Sequence, residues 1–316
     1  MKIDFAPGLH VAPGQAANVS AYYRWTGRWS RLFVPGVVSA AEIAPGRRVL
    51  DVSTGTGEAA LIALSAVGAS GVVVGADIAP AMLVGARDRL KNPLFCPVAA
   101  DGQALPFRSG SFDAVICQLG LQFFPNPTRG LAEFHRVLRP GCCAALCVIS
   151  TPDRAPMWGV VADVLSQFVP EQRDLLYLSF ALADANRLEH MLASAGFREV
   201  RVERVQHEDT ISSFEEYWNP IEAGMGSMPQ VYVALPETER RAVRDEVKSR
   251  LSPFESDGHL TINECRDVDR SRASITTNYF VTHKKSALIA LSVLIAQAGQ
   301  RGDPGLASAG NLANLG

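Results

Sequence analysis

The sequence predicts an α/β protein built on a doubly wound, largely parallel sheet. Between residues 47 and 149, short apolar segments alternate with segments of helical character, a pattern typical of parallel strands joined by right-handed crossovers. The first apolar segment runs into a turn that contains Gly55 and Gly57, and the second ends at Asp77. Because glycines let a backbone approach a ligand closely, the sequence also predicts a ligand site at this edge of the sheet.

The first two of four predicted parts hold the aromatic N-terminal segment and the sheet core. Residues 1–45 are expected to form a helical cap or lid, with one or two helices over 22–44 that Pro35-Gly36 interrupts and Pro45-Gly46 ends. Residues 46–150 are expected to form the ligand-binding core. The elements predicted there are strands at 47–52, 71–77, 94–99, 112–118 and 143–149 and helices at 57–67, 79–91 and 127–138.

The other two parts are less regular. Residues 151–270 are expected to complete the sheet and to add helical insertions on its ligand side. The elements predicted there are a helix at 183–195, a strand at 198–206, helices within 213–250 around a loop at 224–229, and a last strand at 259–263 that pairs antiparallel beside 198–206. Residues 271–316 are expected to be a partly loose extension. Its apolar stretch 286–296 makes a homodimer one hypothesis.

Composition narrows the class of protein. The 316 residues are 47% hydrophobic and 20% charged with a net charge of −2, so there is ample material for a core and no basic excess that would favour a nucleic-acid partner. The six cysteines follow no zinc-binding spacing, which favours reduced thiols in a cytoplasmic protein and predicts no metal site. The N-terminus carries no apolar signal segment, and no apolar run is long enough to span a membrane.

The first glycine turn fits two cofactors. Gly55-x-Gly57-x-x-Ala60, followed about twenty residues later by Asp77, matches the pattern of NAD-binding sheets. Asp51, however, lies at the end of the first strand. A negatively charged pyrophosphate binds there through N–H groups, and a carboxylate would repel it. S-adenosylmethionine has no phosphate and carries a cationic sulfonium and an ammonium. The sequence therefore favours S-adenosylmethionine and keeps NAD as the alternative.

Several later segments extend this first turn into a family pattern. The segments are Leu50–Gly57, Asp77–Met82, Asp101–Phe107, Phe112–Val115, Gly120–Phe124 and Arg136–Gly141. In this order and at these intervals they resemble the class I S-adenosylmethionine-dependent methyltransferases, most closely the subgroup of the ubiquinone and menaquinone biosynthesis methyltransferases. The resemblance covers about 45–150 and implies a Rossmann-like, doubly wound sheet of seven strands with an antiparallel last strand.

The resemblance also implies cofactor contacts, position by position. Asp51 would face the methionine ammonium, and Asp77 would hold the ribose hydroxyls. The remaining implied contacts are Ser53, Gly55 and Gly57 along the turn, Ile78 and Met82 near the adenine, Asp101 at the adenine amino group with Gly102 beside it, and Gln118 at the methionine moiety through its backbone. Ser53 and Thr54 depart from the residues usual in the family but remain small.

No strong catalytic signature is present, and methyl transfer from an activated donor does not require one. His207 is a candidate general base, and Tyr22 a candidate catalytic or lid residue whose ring would exclude water and contact the sulfonium. Structural roles for both stay open. Tyr217 and Trp218 are expected either to line the acceptor pocket or to pack in the core.

The sequence thus predicts an enzyme that methylates a small, partly apolar or aromatic acceptor by in-line displacement. An aromatic N-terminal helix and the Met-rich loop at 224–229 suit such an acceptor. Two alternatives remain: an NAD-dependent oxidoreductase, and a protein that binds S-adenosylmethionine for another reaction. Which acceptor atom receives the methyl group does not follow from the sequence.

Overall fold

A seven-stranded sheet forms the centre of the fold. The computed structural model describes residues 16–207, 209–224, 226–262 and 277–284. The strands of the sheet are β1 (Arg48–Val52), β2 (Val72–Asp77), β3 (Phe95–Ala99), β4 (Phe112–Gln118), β5 (Leu138–Ile149), β6 (Arg198–Gln206) and β10 (Thr277–Lys284). Their order is β3-β2-β1-β4-β5-β10-β6. The pairings among β1–β5 are parallel, and β10 runs antiparallel to both β5 and β6.

Helices cover both faces of this sheet. They are α1 (Ala16–Ala40), α2 (Glu58–Val67), α3 (Pro80–Leu90), α4 (Pro127–Val137) and α7 (Ala185–Ser194). Alternation along β1 sends Val49 into the core under α1, α2 and α3, and Leu50 into the core under α4 and α7. The predicted α/β fold with a parallel sheet of five strands is confirmed.

A second, helical region follows the fifth strand. Its elements are α5 (Pro156–Phe168), α6 (Arg173–Leu176), α8 (Phe214–Glu222), α9 (Ser227–Val233) and α10 (Glu237–Leu251), with a small sheet of β7 (Asp209–Ile211), β9 (His259–Ile262) and β8 (Glu255–Ser256). These helices share an apolar core in which Tyr217 and Trp218 are fully buried. The ring of Trp218 stacks on Phe214 with centroids 5.6 Å apart.

One sequence prediction about strand pairing is wrong. The strand near 259–263 does not lie beside 198–206, because β9 pairs with β7 and β8. The neighbour of β6 is instead β10, which lies in the extension 271–316. Strand pairing is non-local, so the apolar pattern of either strand does not specify its partner.

The helix α1 also differs from its prediction. It continues through Pro35 as one helix of 25 residues, whereas an interruption was expected there. The proline removes a backbone donor, but Phe33, Val34 and Val37 around it are fully buried. This burial stabilises the continuous helix against the local cost. The apolar stretch 286–296 and Cys265 lie outside the described residues.

Among the described residues, no helix has both the length and the apolar character needed to cross a membrane.

Candidate functional site

Three cavities meet at the carboxyl ends of β1, β2 and β4. The central cavity encloses about 700 Å³ open to solvent, the loop cavity about 370 Å³, and the helical cavity about 720 Å³. Tyr22 and Leu119 line all three. The central cavity is further lined by Val52, Ser53, Gly55, Asp77, Ile78, Met82, Ala100, Gly102, Gln118, Gly120, Phe123 and Phe124. The loop cavity is further lined by Thr26, Gly27, Ser30, Asp51, Ser53, Thr54, Gly55, Glu58, Ala59 and Gln118.

The glycine turn after β1 has the conformation that its sequence requires. Ser53, Gly55 and Gly57 have φ values of 58°, 54° and 84°, in the left-handed region that favours glycine. Gly57 does not line the cavities, and a Cβ there would lie 3.0 Å from Leu90 Cδ1. The absence of a side chain at Gly57 therefore lets α3 pack closely against the turn. Arg89 of α3 donates from Nε and Nη2 to the Thr56 carbonyl at 2.9 and 2.7 Å, which fixes the turn.

Asp77 ends β2 and faces the central cavity. Its Oδ2 accepts the Gly55 N–H at 2.8 Å, and its Oδ1 accepts the Ala79 N–H at 2.9 Å. Desolvation raises the pKa of this carboxyl, and the backbone donors oppose the rise. A carboxylate offers more acceptor positions than these backbone donors use, so Asp77 can accept a further hydrogen bond from a ligand.

Asp51 is fully buried beneath the loop cavity. Its Oδ2 accepts from Thr54 Oγ1 at 2.7 Å, and its Oδ1 has no partner among the described residues. Desolvation, against the Thr54 hydrogen bond and with smaller contributions from the charges of Asp77 and Glu58, raises the pKa of Asp51 to about 7. An orphaned carboxylate oxygen next to a cavity suits a cationic donor such as an ammonium.

Glu58 is a third carboxylate at the same place, and it was not among the predicted site residues. It begins α2, is buried, and lines the loop cavity. Its Oε2 accepts from Thr56 Oγ1 at 2.8 Å. Its Oε1 accepts no hydrogen bond from the described residues and lies 3.9 Å from Arg31 Nη1 and 3.8 Å from Arg89 Nη2. The sequence shows an acid at the start of the predicted helix 57–67, but its burial is seen only in the structure.

The predicted adenine side is only partly lined by the expected residues. Ile78, Met82 and Gly102 line the central cavity. A Cβ on Gly102 would lie 2.4 Å from Phe124 Cζ, so no larger residue fits there without displacing that ring. Asp101 does not line the described cavities, and its Oδ1 accepts the Gln103 N–H at 2.8 Å. Its contact with an adenine amino group stays a prediction.

The carboxyl end of β4 carries a strained residue. Leu119 has φ 54° although it is not glycine, and such strain concentrates at functional sites. The preceding Gln118 lines the central and loop cavities, donates from Nε2 to the Ser30 carbonyl at 3.3 Å, and leaves its Oε1 without a partner among the described residues.

Tyr22 lies where the three cavities meet. Burial raises the pKa of its hydroxyl, and the charges of Glu58 and Asp77 raise it further. The phenol therefore stays neutral near pH 7, where it can donate a hydrogen bond or contact a cation through its ring but cannot serve as a base.

The helical cavity has a different character. Besides Tyr22 and Leu119 it is lined by Thr26, Trp29, Phe33, Gln122, Phe123, Ile149, Trp158, Ser179, Gly226, Ser227, Met228 and Pro229. None of these described residues carries a charge. Tyr217 and Trp218 do not line it; Tyr217 donates its hydroxyl to the Met157 carbonyl inside the helical core. His207 packs edge-on against Phe33 at 4.8 Å between ring centroids and is absent from all three linings. Its role as a base stays a prediction.

The residues present fit S-adenosylmethionine better than a dinucleotide. Asp51, Glu58 and Asp77 surround the central and loop cavities, and three carboxylates would repel a pyrophosphate while attracting a sulfonium and an ammonium.

Comparisons with known proteins agree with this geometry. A family model described as a methyltransferase domain matches residues 50–146. The chain is 34% identical to the demethylmenaquinone methyltransferase of Corynebacterium kroppenstedtii over 167 residues, which are 49% of this chain and 70% of that protein. It is 40% identical to a ubiquinone/menaquinone biosynthesis C-methyltransferase of Stenotrophomonas maltophilia over 117 residues, 36% of this chain and 45% of that protein. The chain thus spans about half the length of the first curated relatives that it matches.

Solved structures share the fold at low sequence identity. One is the phosphoethanolamine N-methyltransferase 2 of Haemonchus contortus in complex with S-adenosyl-L-methionine, with a TM-score of 0.53 and 18% identity over 90% of this chain and 60% of that one. Another is a Bacillus halodurans protein with a provisional methyltransferase name, with a TM-score of 0.52 and 21% identity over 80% of this chain and 99% of that one.

Proposed function

Because the chain belongs to the class I S-adenosylmethionine-dependent methyltransferases, we propose that it transfers a methyl group to a small, partly apolar or aromatic acceptor by in-line displacement. One observation carries the proposal. The central and loop cavities, which have acidic linings, meet the uncharged helical cavity at Tyr22. A cationic donor on the acidic side and an apolar acceptor on the other would meet at this junction.

The cofactor would be held by the residues of the first two cavities. Asp51 and Glu58 would take the methionine ammonium, and Asp77 would accept the ribose hydroxyls. Ile78, Met82 and the space left by Gly102 would hold the adenine. When bound, S-adenosylmethionine supplies a methyl group already activated by its sulfonium charge.

The chain's own work in the reaction is then alignment and exclusion of water. Tyr22 would cover the junction, present its ring to the positive charge, and keep solvent out. Leu119 and Phe123 line both the central and the helical cavity and would set the line between donor and acceptor. In this arrangement α1 acts as the lid, and the helices after β5 form the acceptor side.

We further propose a hydroxylated aromatic ring, as in a reduced quinone, as the acceptor. The names of the relatives from Stenotrophomonas and Corynebacterium support a quinone ring, and the uncharged, aromatic lining of the helical cavity suits one. Homodimer formation, the lack of a nucleic-acid partner and a cytoplasmic location stay predictions.

Calorimetric titration with S-adenosylmethionine, S-adenosylhomocysteine and NAD tests the cofactor. We expect the two sulfur compounds to bind and NAD not to bind, and Asp77→Ala to lose the binding. Asp88→Ala is the matched control, since Asp88 is an exposed acid of α3 outside the cavities. Binding of NAD alone would overturn the proposal. Formation of S-adenosylhomocysteine with an added acceptor would then separate a methyltransferase from a protein that only binds the cofactor.

A further inference from the structure

The side chain of Gln122 is buried at the helical cavity, and its polar groups have no hydrogen-bond partner among the described residues. Gln122 lines that cavity and is only 2% exposed. Neither its Nε2 nor its Oε1 forms a hydrogen bond with any described residue. Buried carboxamides are nearly always hydrogen-bonded, because desolvating an amide without a partner is costly. An orphaned amide in a cavity wall therefore points to a ligand that completes it.

The backbone at Gln122 is held in place by the hydrogen bonds of its neighbours. Gln122 lies in the short turn directly after β4, where the Phe123 N–H donates to the Gly120 carbonyl at 3.0 Å and the Phe124 N–H donates to the Leu121 carbonyl at 3.1 Å. Leu121 is fully buried in the sheet core. The position of Gln122 is thus fixed by its neighbours rather than by its own polar contacts.

The neighbourhood of the amide limits what its partner can be. Gln122 lines neither of the two acidic cavities, so its partner is not the cofactor. The aromatic rings of Trp29, Phe33 and Trp158 share its cavity, and no described lining residue there could neutralise a charged ligand. A neutral hydroxyl meets both conditions, because it can donate to Oε1 or accept from Nε2.

We propose that Gln122 selects the acceptor by hydrogen bonding to a neutral hydroxyl on an aromatic ring bound in the helical cavity. This assignment rests on the proposed function, since it concerns the acceptor of that reaction. It makes Gln122 a specificity-determining residue: an acceptor without the hydroxyl leaves the amide unsatisfied, and an anionic acceptor finds no counter-charge.

Equilibrium dialysis with three ring compounds tests the proposal. The probes are 2-naphthol and 2-methylnaphthalene, which differ by a hydroxyl in place of a methyl group, and 2-naphthoate as an anionic third. Each is measured against the full chain with and without S-adenosylhomocysteine. We expect 2-naphthol to bind about tenfold more tightly than 2-methylnaphthalene, as for one buried hydrogen bond, and 2-naphthoate to bind most weakly.

Variants then assign the preference to the amide. Gln122→Leu is expected to weaken the binding of 2-naphthol about tenfold. The binding of 2-methylnaphthalene should be unchanged or tighter, so that the preference for 2-naphthol disappears. Gln122→Glu keeps the shape and is expected to repel 2-naphthoate further. Ser227→Ala, which removes another hydroxyl from the same cavity wall, is expected to keep the preference. Thermal unfolding checks that each variant is folded.

The proposal is overturned if the unaltered chain binds neither ring or binds 2-naphthol and 2-methylnaphthalene equally, and this comparison needs no variant. It is also overturned if folded Gln122→Leu keeps the preference, or loses affinity for both rings alike. Failure of the proposed function looks different: S-adenosylmethionine would not bind, or no acceptor would yield S-adenosylhomocysteine, while the naphthol preference persisted.

Discussion

Asp51 is a buried carboxyl whose ionised form the fold itself does not stabilise. It is fully buried, one of its oxygens has no partner among the described residues, and burial raises its pKa to about 7. A carboxylate with an ordinary pKa in the unfolded chain is therefore disfavoured in the folded one. Such a residue is better explained by the ammonium that it would bind than by its contribution to stability.

Replacing this carboxyl with a neutral amide should stabilise the chain in the absence of ligand. Because the folded pKa of Asp51 is above its unfolded value of 3.8, the folded state binds the proton more tightly. The stability from this group is present below about pH 4 and is lost as the pH rises through about 7. The free energy of unfolding of Asp51→Asn should therefore exceed that of the unaltered protein by an amount that grows with pH. At pH 8 the difference should be on the order of 4 kcal/mol.

Urea unfolding of both proteins between pH 4 and pH 8 measures this difference. The exposed Asp88→Asn provides the control and should show no such trend. An Asp51→Asn advantage that did not grow with pH would contradict the raised pKa. The same variant should bind S-adenosylhomocysteine more weakly at pH 8, because the ammonium would lose a charged acceptor.

Tyr22 allows a test of the contact between ring and sulfonium. S-adenosylmethionine carries the sulfonium charge and S-adenosylhomocysteine does not, so a cation–π contact would favour the former. We expect Tyr22→Leu to weaken the binding of S-adenosylmethionine roughly 2- to 30-fold more than the binding of S-adenosylhomocysteine. Tyr22→Phe keeps the ring and should keep the preference for S-adenosylmethionine. Calorimetry with both compounds decides. Equal losses for the two in Tyr22→Leu would reduce Tyr22 to a packing residue.

At the scale of elements, the turn after β3 depends on a missing side chain. Gly102 is buried between Phe124 and Val52. Gly102→Ala would force the Phe124 ring to move, at a cost of about 1–3 kcal/mol, and would fill part of the central cavity. We expect at least a tenfold loss in affinity for S-adenosylhomocysteine. Ala104→Ser adds one atom at an exposed position two residues away and should change neither quantity.

The elements that were predicted correctly are those whose signals are local. The strands β1–β5 each carry an apolar run bounded by turn residues, and the glycine turn and Asp77 follow from spacing alone. The position of β10 and the partners of β9 depend on pairing between distant segments, which no local pattern encodes. Gln122 was missed for the same reason: its significance comes from an unsatisfied amide in a cavity whose walls come from distant parts of the chain.

Over the whole described molecule, the helical region has its own apolar core, separate from the cores on the two faces of the sheet, and α1 contributes to the helical core and to one of the sheet cores. Phe33 of α1 packs in the core against the sheet, and Trp29 packs in the core of the helical region. Arg28 of the same helix donates from Nη1 to Glu216 at 2.6 Å and from Nη2 to the Thr210 carbonyl at 2.6 Å. The lid helix is therefore held from both sides, at the position where Tyr22 separates the cavities.

This division predicts that damage to the helical core spares cofactor binding. Trp218 is fully buried against Phe214 and Tyr232, and Trp218→Ala should cost about 3–5 kcal/mol. The loss should loosen α9, which lines the helical cavity, while the sheet that binds the cofactor stays folded. We expect weaker methyl transfer, earlier proteolytic cleavage within 156–262, and nearly unchanged calorimetric affinity for S-adenosylhomocysteine. Phe134→Ala removes a ring from the sheet core under α4. This variant should lose affinity for S-adenosylhomocysteine before the helical region becomes sensitive to proteolysis. Loss of cofactor affinity and of methyl transfer to the same extent in Trp218→Ala would contradict the prediction. The helical core and the sheet would then unfold as one unit, and the acceptor side could not be altered independently of the cofactor side.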